Sequence, residues 1–103
     1  MSYEIEDFSE GMLIQDNDGD FCIITGINDI YENDEDDDGE IQCMFFKDIE
    51  LTIPCCQKLD IYIDKIPVNY IIDIIKNMDT MKKMKIQWLM KKYKTEIRCN
   101  QSH

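Results

Sequence analysis

Two apolar runs on either side of a turn-forming tetrapeptide set the first constraint on how this chain folds. Met12-Leu13-Ile14-Gln15 has the character of a short strand, and the apolar run resumes from Asp20 to Ile27. The residues between them, Asp16-Asn17-Asp18-Gly19, tolerate the left-handed backbone conformations that tight turns require. The pattern predicts a β-hairpin near the start of the chain.

Three further segments have strand character: residues 40–46, 48–53 and 59–64. In the first, Ile41, Cys43 and Phe45 lie on one face, and the last two alternate apolar and polar side chains, as expected of strands with one wet face. If residues 54–58 connect the last two as a hairpin, the simplest register places Asp48 opposite Asp64. Like charges that face each other across strands are unfavourable, so folding stability alone would not select this pair. The predicted wet face carries Asp48, Glu50, Asp60 and Asp64.

The last third of the chain has helical patterns. After Pro67, apolar residues recur at helical spacing over residues 68–78, although the Ile content leaves a strand open for residues 70–75. Asp79 and Thr80 offer N-caps for a second helix. Its lysines are Lys82, Lys83, Lys85, Lys91, Lys92 and Lys94, and we interpret Met78, Met81, Met84, Met90 and Trp88 as core filling.

A length of 103 residues with 44% hydrophobic residues suits one domain with one core. Strands followed by helices predict the α+β class: a small bent antiparallel sheet or SH3-like barrel of about five strands, followed by one or two C-terminal helices. We expect a single domain over residues 1–103. Its parts are an acidic, strand-rich segment (1–64), a basic helical segment (65–98) and a frayed tail (99–103).

Charge is distributed unevenly along the chain. Residues 1–64 hold 19 Asp or Glu and two Lys, a net charge of −17, whereas residues 65–103 hold three acids and nine Lys or Arg, a net charge of +6. Such asymmetry bears on partners and not on fold.

Several classes of function find no support in the sequence. The five cysteines include no C-x-x-C pair and the only histidine is His103, which argues against a zinc site. The carboxylates fall in exposed clusters, no Ser/His/Asp set can form away from the terminus, and the four glycines are scattered. We therefore expect no enzymatic activity and no cofactor.

Location is predicted from the same composition. No apolar run approaches the roughly 18 residues that a membrane-spanning helix needs, and the first residues are acidic where a secretory signal is basic. Unpaired cysteines suit a reducing compartment. The sequence predicts a cytoplasmic protein without membrane contact.

The segment from Asp34 to Ile41 matches the first eight positions of an EF-hand calcium loop, with Asp34, Asp36 and Asp38 as candidate ligands. The twelfth position, which supplies a bidentate Glu in an EF-hand, is Phe45. The flanks also have strand character, so a solvated hairpin loop is the favoured interpretation.

The leading hypothesis is a non-enzymatic protein-binding domain whose acidic face occupies a basic site on a partner. Acids fixed on a sheet imitate the phosphates of nucleic acid, which suits an inhibitor of a nuclease or another nucleic-acid-binding protein, such as a phage or bacterial accessory or immunity protein. The candidate partner-binding residues are Asp48, Glu50, Asp60, Asp64, Asp34, Asp36, Asp38 and Glu40.

Two alternatives stay open beside it, and acidity also has the ordinary role of solubility. A nucleic-acid-binding or partner-binding module would use the lysines of the second helix, Lys82 to Lys94. The same helix would otherwise lie near the acidic sheet and partly neutralise it. The other alternative is a calcium-binding module at residues 34–40.

Overall fold

The structure, a computed structural model, describes residues 3–28, 39–56, 58 and 61–101; the side chains of residue 28 and of residues from 96 onward are not described. The predicted calcium ligands Asp34, Asp36 and Asp38 lie outside the described residues, as does Asp60. No helix in the described ranges is long and apolar enough to cross a membrane.

Five strands form one antiparallel sheet, and one α-helix follows it. The elements are β1 (Leu13–Asp16), β2 (Phe21–Asn28), β3 (Glu40–Phe46), β4 (Ile63–Pro67), β5 (Ile71–Ile75) and α1 (Thr80–Gln101), with 3-10 turns at Ile5–Asp7 and Val68–Tyr70. The strands lie in the order β4-β3-β2-β1-β5, and the sheet is not closed into a barrel. The predicted α+β class is confirmed. Of the predicted alternatives, the structure has an open antiparallel sheet and one C-terminal helix.

The predicted hairpin is present as β1 and β2, each within one residue of its expected bounds. The Asp16 carboxylate accepts the backbone N–H of Asp18 at 3.1 Å and of Asp20 at 2.9 Å. Gly19 takes a φ of 86°, a conformation that costs glycine little. One buried carboxylate and one glycine therefore fix this turn locally.

Residues 48–53 form a turn, so the strand predicted there is wrong. The Asp48 carboxylate accepts the backbone N–H of Thr52 at 3.0 Å and of Ile53 at 2.9 Å, which folds the segment back on itself. Leu51 takes a φ of 62° and buries its side chain, with 1% exposed. Of the three apolar residues that alternate in this segment, only Leu51 enters the core, and Ile49 and Ile53 stay exposed.

β4 pairs with β3, and in that ladder Cys43 lies opposite Asp64. The predicted register that placed Asp48 opposite Asp64 is therefore wrong, and the like-charge strand pair does not form. The physical reason is that the Asp48 carboxylate holds its own turn and the chain from residue 48 to 53 is not extended.

The helix predicted over residues 68–78 is also wrong, and the strand left open for residues 70–75 is confirmed as β5. β5 pairs with β1, and the register shifts between Gln15 and Asp16, which leaves Ile72 without a paired residue on β1. Branched side chains favour extended backbone, and the free edge of β1 supplies the hydrogen bonds that make a strand stable here.

The capping prediction for α1 is confirmed. The Asp79 carboxylate accepts the backbone N–H of Lys82 at 2.8 Å, so Asp79 caps the helix that begins at Thr80. The helical backbone continues to Gln101, and residues 102 and 103 lie outside the described ranges, so the frayed tail expected over 99–103 stays a prediction.

Both faces of the sheet are covered. On one face, Ile14, Cys22 and Ile24 belong to a core cluster that Phe8 of the N-terminal segment joins. On the other face, a second cluster includes Leu13, Ile23 and Met44 of the sheet with Ile86 and Leu89 of α1. Because α1 buries this one side against the sheet, its opposite side faces outward.

Candidate binding surface

The outward side of α1 carries large apolar side chains. Met81, Met84 and Trp88 are 80%, 61% and 54% exposed, whereas Ile86 and Leu89 on the same helix are 5% and 3% exposed. Residues three or four positions apart share one side of a helix, so the three exposed residues form a continuous stripe. The prediction that they fill the core is wrong for these three. It holds in part for Met78 and Met90, which pack half-buried against the core.

Two lysines flank this stripe at its aromatic end. The Lys85 ammonium lies 5.0 Å from the centre of the Trp88 ring and the Lys92 ammonium 5.2 Å from it, both within cation–π distance. From Thr80 to Thr95 the helix contains no acid. We call this region the Trp88 surface; it consists of Met81, Met84, Lys85, Trp88 and Lys92.

A groove lies beside the Trp88 surface, between α1 and the segment that leads into β1. It has a volume of about 760 Å³. Its apolar residues are Met12, Met78, Ile86 and Met90, and its polar lining consists of Lys83, Lys91, Lys94, Gln87, Thr95, Glu10 and the backbone of Gly11. We call it the β1–α1 groove. Lys91 and Thr95 also border a small depression at Trp88, so the two features adjoin.

The structure therefore divides the predicted lysine set. Lys83, Lys91 and Lys94 line the groove, while Lys85 and Lys92 lie at Trp88. Lys82 instead turns toward the 48–53 turn, where its ammonium donates to the carbonyl of Ile49. No sequence signal separates these roles, because they depend on which side of α1 faces the sheet.

The described acidic candidates lie on different elements. Asp48 holds a turn, Glu50 is exposed in that turn, Glu40 begins β3, and Asp64 lies on the edge strand β4. The Tyr62 hydroxyl donates to the Asp64 carboxylate at 3.1 Å, and this hydrogen bond raises the pKa of Tyr62. The nucleic-acid-mimic hypothesis stays a prediction, but the single strand face on which it was based does not form.

The pKa of Asp48 reflects its structural use. Burial favours the neutral acid, but the hydroxyl of Thr52 and the backbone N–H groups of Ile53 and Thr52 outweigh that effect, so the pKa of Asp48 is lowered. Asp48 is thus committed to the turn as a carboxylate.

Three further acids come together at the first hairpin. One carboxylate oxygen from each of Asp16, Asp18 and Asp20 lies within 4.8 Å of the others. Burial raises the pKa of Asp16, against the lowering effect of the N–H donated by Asp20. Carboxylates at this spacing are a donor set that a divalent cation accepts. The Oδ1 atom of Asp16 is already used by two backbone N–H groups, and we assign the cluster to the turn.

The described thiols have the environment of packing residues. Cys22 and Cys43 are fully buried, and the hydrogen bond between their side chains raises the pKa of Cys22. Burial, followed by the nearby Asp20 carboxylate, raises the pKa of Cys55 to about 11. A thiol is nucleophilic as the thiolate, so neither Cys22 nor Cys55 is activated at neutral pH.

Comparison with known proteins adds no relative: no protein-family model matches the chain, and the searches of curated proteins and of solved structures find no match.

Proposed function

We propose that this chain is a non-enzymatic protein-binding domain that docks an acidic partner protein through the Trp88 surface. The observation that carries the proposal is the stripe of Met81, Met84 and Trp88, more than half of each side chain being exposed on a helix whose opposite side is buried. Contiguous exposed apolar side chains on a folded domain are typical of binding surfaces.

The chemistry of the stripe suits a protein interface. Tryptophan and methionine are enriched at the centres of such interfaces, where tryptophan often contributes a large share of the binding free energy. Unbranched methionines also adapt to the shape of a partner groove. Met81 and Met84 extend the apolar area N-terminally from the ring of Trp88, so a partner groove along α1 would cover all three.

Charge indicates what surrounds the partner groove. The stripe lies between Lys85 and Lys92 on one side and Lys91 on the other, as the helical spacing of these positions requires. Acidic side chains around an apolar groove would complement this arrangement and speed association.

Nucleic acid is the competing ligand for the same lysines. Met81 and Met84 add apolar area that the phosphates of nucleic acid do not use. A base stacked on Trp88 would also displace the ammonium groups of Lys85 and Lys92 from the ring. These points favour an acidic protein.

The test uses affinity capture of partners by the purified chain, followed by binding measurements with the purified partner. We expect Trp88→Ala to raise the dissociation constant at least tenfold, a loss of roughly 1.4 kcal/mol of binding free energy, as for an interface residue that contributes strongly. Ile72→Ala is the matched control, because Ile72 is a similarly exposed apolar residue on β5. Higher salt should weaken binding if acidic side chains meet the lysines.

Two results would overturn the proposal. One is a partner whose affinity is unchanged by Trp88→Ala and by Met84→Ala. The other is Trp88-dependent retardation of single-stranded DNA or RNA at moderate salt, which would show that the ligand of the Trp88 surface is nucleic acid.

A further inference from the structure

The β1–α1 groove has the composition of a small-molecule site. Its volume of about 760 Å³ lies within the range of roughly 300–1,000 Å³ that ligand sites occupy. Four apolar side chains line it, with Ile86 buried and Met12, Met78 and Met90 half-buried. Such sites are mostly apolar and have a few polar groups that orient the ligand.

The apolar lining suits a linear hydrocarbon. Three of its four side chains are methionines, which are unbranched and have several rotatable bonds, so they adapt to a flexible chain. Among the described residues, the groove has no aromatic side chain against which a flat ring would stack. A planar, hydrogen-bonding ligand is therefore a poorer match than an alkyl chain.

The charged lining indicates the head group. Lys83, Lys91 and Lys94 line the groove, and Glu10 is the one acid that the described side chains place there, so cations outnumber it three to one among them. Lys83 and Lys94 are eleven residues apart, about 16 Å along the helix axis. A carboxylate at one end of an alkyl chain would meet an ammonium group while the chain lies on the methionines.

From these observations we infer that the β1–α1 groove binds a long-chain fatty acid, with its carboxylate at the lysines and its acyl chain against Met12, Met78 and Met90. The inference does not depend on the proposed protein partner, because it uses the concave region beside the Trp88 surface, and of its three lysines only Lys91 also borders that surface.

Palmitate is the probe, titrated into the full chain below its critical micelle concentration. Trp88 is the only tryptophan and its depression shares Lys91 and Thr95 with the groove, so its fluorescence should report occupancy. We expect saturable one-to-one binding, confirmed by calorimetry. Dodecyl maltoside, which has an alkyl chain and no charge, should bind at least tenfold more weakly. Absence of saturable palmitate binding would overturn the inference.

Charge reversal on the two sides of α1 provides matched variants. Lys83→Glu with Lys94→Glu should weaken palmitate binding at least tenfold, and both lysines are exposed, so the fold should persist by circular dichroism. Lys85→Glu with Lys92→Glu changes net charge equally at Trp88 and should leave palmitate binding within twofold. Equal losses in the two pairs would indicate general electrostatic attraction and overturn the site. If Lys85→Glu with Lys92→Glu loses binding of the protein partner and keeps binding of palmitate, the two surfaces act independently and both proposals are supported.

Discussion

Leu89 and Met84 lie on opposite sides of α1, and truncating each to alanine tests the helix orientation on which both binding proposals depend. Leu89 is 3% exposed in the cluster that joins α1 to the sheet, and replacing a buried leucine by alanine costs about 2–5 kcal/mol. A chain of 103 residues has a total stability of roughly 5–15 kcal/mol. Leu89→Ala should therefore remove a large share of the free energy of unfolding.

Met84 is 61% exposed and should behave as a surface residue, with a change within about 0.5 kcal/mol on truncation. The assay is urea unfolding of the two variants and the unchanged chain, followed by far-ultraviolet circular dichroism. We expect Leu89→Ala to lower the free energy of unfolding by about 3 kcal/mol.

A reversed order would refute the reasoning. If Met84→Ala cost more than Leu89→Ala, α1 would be rotated on the sheet. Met84 would then be buried, and neither the Trp88 surface nor the β1–α1 groove would have the residues assigned to it.

Three further predictions concern titratable groups. Because the pKa of Asp48 is lowered, its contribution to stability is present above the unfolded pKa of about 3.9 and is lost as pH falls through the folded pKa. Solvent screens this partly exposed carboxylate, so Asp48→Ala should cost no more than about 1 kcal/mol in urea unfolding at pH 7 and less at pH 3. Burial raises the pKa of Asp16, so protonation favours the folded state, and Asp16→Asn, which keeps an acceptor oxygen, should be at least as stable at pH 7 by the same assay. Cys22 and Cys43 should resist brief alkylation in the folded chain and react in urea, with Cys55 slow at pH 8, as mass spectrometry would show.

Local chemistry made part of the fold predictable. The hairpin of β1 and β2 follows from one turn sequence, in which Asp16 and Gly19 make the needed interactions within five residues. The N-cap at Asp79 is equally local, since its carboxylate meets the N–H of Lys82 three positions later. Neither feature requires knowledge of what packs against it.

Segments whose partner is distant in sequence were not predictable in the same way. The alternation over residues 48–53 fits a strand, but the Asp48 carboxylate captures nearby N–H groups and Leu51 enters the core. Residues 71–75 fit either a helix or a strand, and the edge of β1, more than fifty residues earlier, decides between them.

The α+β class, the first hairpin, the start of α1 and the concentration of lysine on that helix follow from the order of the residues alone. Which side of α1 is buried depends on how the helix packs against the sheet. Met84, Ile86, Trp88 and Leu89 are all apolar, so their pattern allows more than one side to face the sheet. Burial of Ile86 and Leu89 against Leu13, Ile23 and Met44 removes that freedom and leaves Met84 and Trp88 outside with the lysines.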